Sequence, residues 1–364
     1  MKKIISAFLI LLLSATFLYA DDKAAEEKKE EEGNFFVVVP VVTYSPETSF
    51  NFQVVSMCLF RIMTDKPNVP SSTLQFSASY SLNNQSKFYL KSDFYFPELD
   101  YHGTLTTEYR RQPDSFFGVG NNMPASDEES YLLEAEYVRL EFYRKIVRHF
   151  HMGLKYMFQH AVLLEREAGG LFDTLQISGE EGGNEFGLGF TAKWDSRNNP
   201  LYPTTGAYSQ LSATFYGDIV GSQYRYDKYE ADLRCYFETF MNQSLSLQYL
   251  FGFQTGEPPF YYLNMMGGNK ILRGYYEGRY RDRSIMALQF EYKWVFFNRL
   301  VCILHGGLGM LSRDVSGLFS APVRLSVGPG VRFILDEKSG FTFRLDTGFG
   351  TDAFGLYIDA GEAF

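Results

Sequence analysis

The chain has 364 residues, 45% hydrophobic and 17% aromatic, with 43 Asp and Glu against 34 Lys and Arg for a formal net charge of −9. That balance argues against nucleic acid as a partner, because phosphate binding needs a basic face. Cys58, Cys235 and Cys302 lie far apart without CxxC or His/Cys spacing, and their odd number rules out complete pairing, so they read as small apolar fillers.

At the N-terminus, Lys2 and Lys3, the apolar run Ile4 to Leu18, and Tyr19-Ala20 before Asp21 predict a secretory signal peptide over 1–20. A solvated acidic leader follows over 21–34, on the periplasmic side, before a barrel domain over 35–364. No other run approaches the roughly 18 apolar residues of a transmembrane helix. From Phe35 onward, side chains instead sort by parity. Met286, Leu288, Phe290, Tyr292, Trp294 and Phe296 alternate with Ala287, Gln289, Glu291 and Lys293, which gives one strand an oily face and a polar face.

The same code predicts sixteen strands, at 35–45, 50–61, 72–82, 87–96, 101–111, 131–145, 149–161, 184–196, 206–217, 224–238, 244–255, 284–297, 300–311, 322–335, 341–351 and 355–364. Segments of about ten residues suit a tilted membrane crossing, and closing the sheet leaves no unpaired edge in lipid. Phe150, Met152, Leu154, Tyr156 and Phe158 point to outer-membrane lipid, and His151, Lys155 and Gln159 to the lumen. Lys228, Glu230, Asp232 and Arg234 also face inward. Short turns at 97–100, 147–148, 298–299 and 338–340 are periplasmic, and the long connections 112–130, 162–183 and 256–283 are extracellular. The fold class is all-β, a 16-stranded antiparallel transmembrane β-barrel in the cell outer membrane.

The connection 256–283 is too long for a mere turn. It carries Pro258-Pro259-Phe260, Gly267-Gly268, Leu272-Arg273-Gly274-Tyr275 and Arg279-Tyr280-Arg281-Asp282-Arg283. Other matching segments are Trp194-Asp195-Ser196-Arg197-Asn198 before Tyr202-Pro203-Thr204-Thr205-Gly206, Gln289-Phe290-Glu291-Tyr292, and the terminal Phe364. Together these resemble the BamA/TamA superfamily, the bacterial surface antigen barrels, over essentially all of 35–364. The resemblance implies that 256–283 is the sixth extracellular loop, with its Arg-Gly-Tyr tip folded back into the pore. Gly274 permits a close approach or a positive φ, and Arg273 offers a rigid fork to a carboxylate. Glu291, inward by parity, is the expected partner. Where many members carry a second acid on the thirteenth strand, this chain has Gly307 before Gly309. Asp346 and Asp359, and more weakly His305, are the substitutes.

The resemblance also implies a weak seam between the first and last strands that parts toward lipid. Pro40 cannot donate a ladder hydrogen bond, and fits either that seam or a bulge. The ending Tyr357 to Phe364, with Gly361 inside it, resembles the signal by which the barrel assembly machinery recognises and inserts its clients.

Assembly-type members carry POTRA domains ahead of the barrel, for which the fourteen residues 21–34 leave no room. The expected function is insertion or translocation of a polypeptide or lipid, with a separate periplasmic POTRA-type or lipoprotein partner. The alternative is a passive or gated pore plugged by 256–283. No cofactor, metal or enzymatic role is expected. No nucleophile stands out opposite His160, and no phosphate loop or metal spacing is present.

Overall fold

The computed structural model describes residues 35–62, 72–96, 100–336 and 340–364. The predicted signal peptide, the acidic leader, and most of the turns at 97–100 and 338–340 lie outside the described residues. The strands, in chain order, are β1 (Phe35–Ser45), β2 (Ser49–Phe60), β3 (Ser72–Ser81), β4 (Ser86–Phe96), β5 (Tyr101–Phe116), β6 (Glu129–Val147), β7 (Phe150–Arg166), β8 (Gly183–Asp195) and β9 (Gly206–Tyr216). They continue as β10 (Tyr226–Glu238), β11 (Gln243–Gly256), β12 (Asn264–Met266), β13 (Tyr280–Asp282), β14 (Ser284–Phe297), β15 (Leu300–Ser312), β16 (Arg324–Asp336), β17 (Phe341–Gly350) and β18 (Ala353–Ala360). Sixteen of them close an antiparallel barrel, while β12 and β13 form a separate two-stranded sheet.

Alternation decides which face is which. Leu154 is 61% exposed and Phe190 63%, whereas Lys155, Gln248, Glu291, Arg332 and Asp346 are buried. A water-soluble protein would reverse this arrangement. A strand built for hydrocarbon outside and polar contacts inside requires it, because every backbone group must find its partner in the closed sheet.

Two predicted boundaries differ instructively. β5, β6 and β7 run past the predicted ends, pairing Asp114 with Tyr131, Phe116 with Glu129 and Leu132 with Glu165. Beyond the hydrocarbon belt neither face touches lipid, so the oily alternation stops while the hydrogen-bonded ladder continues. At the other end, β18 stops at Ala360 rather than reaching Phe364. Gly361 turns the chain with φ +81° and donates its N–H to Thr342 O at 2.7 Å.

Closure is uneven. β17 and β18 share eight register pairs and β1 and β2 share eleven, but β1 meets β18 through one, Tyr44 with Ile358. The sheet is therefore weakest at that seam. Pro40 lies on β1 opposite Val54, with its ring exposed.

The outward face supplies a direct check. Leu154→Arg places a charge on the lipid side and should destabilise the barrel by about 2–4 kcal/mol if Leu154 sits near the bilayer midplane. Urea titration of the barrel refolded into vesicles reads the shift, and an unchanged midpoint would contradict the face assignment.

Candidate functional site

The connection from β11 to β14 is a hairpin whose stem is β12 and β13, joined by Asn264 with Asp282, Met265 with Arg281 and Met266 with Tyr280. Its tip is held in a tight shape by Gly267 N–H to Ile271 O (3.0 Å) and Gly268 N–H to Tyr275 O (2.9 Å). Leu272 has φ +52° and Gly274 φ +118°. Glycine takes the second value at no steric cost, but a leucine at positive φ is strained and persists only where its surroundings hold it. Leu272 is 1% exposed, and its N–H donates to Gln289 Oε1 at 2.8 Å.

The wall meets the tip with bare backbone. An added Cβ at Gly348 would collide with the Arg273 carbonyl, one at Gly350 with the Tyr275 ring, and one at Gly309 with Met266 and Leu272. These glycines of β15 and β17 form a shallow seat, Gly348 for the loop's main chain and Gly350 and Gly309 for its Tyr275, Met266 and Leu272 side chains. Gly274 N–H donates to the Tyr357 hydroxyl (2.9 Å), which donates on to Tyr275 O (3.3 Å). Tyr275 OH donates to Leu325 O and accepts from Thr351 N–H, both at 2.9 Å. Ser326 Oγ donates to the Arg273 carbonyl.

Arg273 lies between two carboxylates, with Nη2 2.6 Å from Glu291 Oε1 and Nη1 2.5 Å from Asp346 Oδ2. Arg332 spans the same pair, 3.1 Å from Glu291 Oε1 and also in contact with Asp346. Arg344 reaches Asp359 Oδ2 at 2.8 Å and donates to Asn269 O at 3.0 Å. Lys293 Nζ lies 2.7 Å from Glu362 Oε2, whose other oxygen accepts from Thr342 Oγ1 at 2.9 Å. Four cations (Arg273, Arg332, Arg344, Lys293) thus face four carboxylates (Glu291, Asp346, Asp359, Glu362). Buried charge is tolerable only when compensated, and here it balances.

The structure separates the candidate partners. Asp346 touches Arg273, Asp359 serves Arg344 and Asn269, and His305 Nε2 lies 3.0 Å from Thr347 O. Phe364 is buried at the chain end, two residues beyond Glu362. Sequence reasoning missed Arg332, Arg344, Lys293 and Glu362. Inward-facing arginines on neighbouring strands were the available signal.

The loop's other flank holds the opposite side of the barrel. Tyr276 OH donates to Asp114 Oδ1 at 2.8 Å, Arg279 Nη2 to Met123 O at 2.7 Å, and Gly120 N–H to Arg281 O at 2.8 Å. Phe116 and Tyr131 at the ends of β5 and β6 pack with Phe172 and Phe260 of the long connections as one aromatic cluster. Within the loop, burial and then the neighbouring Glu47 and Asp114 carboxylates push the Glu277 carboxyl up. Burial draws the Lys270 ammonium down against the opposing pull of Asp359. Among the described residues, no group of three or more His, Cys, Asp or Glu could hold a metal ion. His160 lies 2.8 Å from Asn184 Oδ1.

A closed sixteen-strand antiparallel barrel with apolar side chains outside and one long loop bonded to its wall is of the transmembrane β-barrel class. The chain belongs to the Omp85 superfamily, whose domain matches residues 66–334. No curated protein matches it in sequence. Among solved structures it is similar to BamA from Haemophilus ducreyi lacking POTRA domains 1-3, at 13% identity and TM-score 0.62 over 91% of this chain and 70% of that one. It is also similar to CdiB from Escherichia coli, at 12% identity and TM-score 0.59 over 89% of this chain and 62% of that one. CdiB from Acinetobacter baumannii gives 13% and 0.56 over 90% and 60%. At these identities the likeness shows the fold alone, and this chain spans less than two thirds of either CdiB chain.

Arg273→Ala leaves two buried carboxylates short of a partner and should lower stability by about 3 kcal/mol. Arg273→Lys should not restore it, because one ammonium cannot replace a fork that holds two carboxylates. Gly348→Val keeps every charge but fills the seat, and should release the loop equally. Urea unfolding and limited proteolysis of the loop report both effects; a Gly348→Val loop as resistant as the parent would refute the seating.

Proposed function

We propose that this protein is an outer-membrane barrel that assists insertion or translocation of a polypeptide or a lipid, together with a separate periplasmic POTRA-type or lipoprotein partner. The observation that carries this reading is the seam, where one pair joins β1 to β18 while the neighbouring strands share eight or eleven. Strand edges left without sheet partners are templates for another strand. A seam this short lowers the barrier for an incoming strand or acyl chain, and the rest of the wall stays rigid.

In this reading Arg273, Glu291 and Asp346 lock the loop, Pro40 weakens the edge of β1, and Tyr357, Gly361 and Phe364 belong to the signal read by the barrel assembly machinery. Phe364 is 5% exposed in the folded chain, so the signal is readable only before folding finishes. Deleting Phe364 should therefore reduce the amount of barrel reaching the membrane far more than it slows refolding of the purified protein. Equal membrane levels would refute the assignment.

The second reading, a pore plugged by the loop, draws on the inner face near β10. There the Glu230 side chain is 40% exposed although it meets Lys155 and Lys228, each at 3.1 Å. Reconstitution separates the two. Vesicles containing the protein should accelerate insertion of an unfolded outer-membrane barrel and show only brief, irregular conductance in planar bilayers. Large, steady openings with no acceleration would favour the pore.

A further inference from the structure

The loop touches both sides of the seam. On the β18 side, Tyr357 is fully buried and its hydroxyl bridges Gly274 N–H and Tyr275 O, while Asn269 Nδ2 donates to Asp359 Oδ2 at 2.5 Å. The space that Tyr357 needs comes from Gly355, where an added Cβ would collide with the hydroxyl. On the β1 side, Glu277 N–H donates to Glu47 Oε1 at 2.8 Å, in the turn between β1 and β2.

Glu47 is itself braced. It is 6% exposed, and its carbonyl accepts from Asn83 Nδ2 at 2.8 Å and from Gln85 Nε2 at 3.1 Å. Gln85 Nε2 also reaches Pro113 O on β5 at 3.0 Å. The β1–β2 turn is thus fixed to the next hairpins along the wall, and a pull on Glu47 is a pull on the whole first edge.

Resting on the reading of the seam as the working part of the barrel, we propose that residues 269–277 are a clasp that fastens β18 to the β1–β2 turn in place of the absent sheet pairs. The two links act in series. Tyr357 and Asp359 hold one end of the segment, Glu47 holds the other, and losing either frees the edges. The Arg273 lock then gains a second consequence, because whatever lifts the tip from its seat also unfastens the seam.

The test measures the seam itself. Spin labels at Val42→Cys and Ala360→Cys, on the outward faces of β1 and β18, are placed in the full chain with Cys58, Cys235 and Cys302 changed to Ser, and their separation is read by pulsed electron resonance in lipid nanodiscs. Glu47→Ala and Tyr357→Phe should each add a population longer by about one strand spacing, ~5 Å. The combined variant should show no more of it than the larger single effect. Glu47→Gln, which keeps an acceptor oxygen, should retain the parent distribution.

Unchanged distances in both single variants would overturn the clasp, as would a combined effect equal to the sum, which describes independent anchors. Should Tyr357→Phe fail to fold, Glu47→Ala, in a turn outside the wall, decides alone. The readout is independent of client insertion. A clasp that behaves this way in a barrel that inserts nothing would refute the proposed function and leave the clasp standing.

Discussion

The architecture depends on one buried guanidinium. Arg273 comes from the middle of a loop, yet it is 2% exposed and divided between Glu291 on β14 and Asp346 on β17. A fixed fork suits two carboxylates on different strands, and a low-dielectric site makes each contact strong while making any lost partner costly. Arg332 shares both acids, so the lock is a network rather than a pair, and its members will not behave additively when removed.

Around that network the barrel has two unlike halves. Against β14 to β17 the inner face is buried and its charges are paired, with the loop seated on glycines. Toward β7 and β10 the inner face keeps partly exposed ion pairs such as Lys155 with Glu230. The stiff half adjoins the weakest joint in the sheet. Placing the most tightly bonded loop residues beside a seam of one pair lets the state of the loop govern the state of the edge.

Much of this was legible in the chain because a membrane strand writes its environment residue by residue. Leu154 and Lys155 differ in exposure because they differ in parity, and that rule needs no knowledge of distant residues. Parity does not give height along the barrel or position around it. It left Asp346 and Asp359 level, with His305 behind them, and only the strand register brings Asp346 rather than Asp359 to Arg273. The upper ends of β5 to β7 lost the code where both faces leave lipid. The bend at Gly361 was hidden because the apolar parity of Leu356, Ile358 and Ala360 returns at Phe364, past Glu362, where the ladder has already ended. The glycine seat was visible as Gly309, Gly348 and Gly350, the last two spaced by two on one strand. Without the loop to fill it, that spacing pointed to nothing.

The most direct test is hydrogen exchange of the loop in the folded, membrane-embedded protein. The amides of Leu272 and Gly274 donate to Gln289 and Tyr357, so they should exchange as slowly as the ladder amides of β14 and β17. Exchange at the rate of a free surface loop, with the wall strands still protected, would mean that the tip is not held and that Arg273 locks nothing.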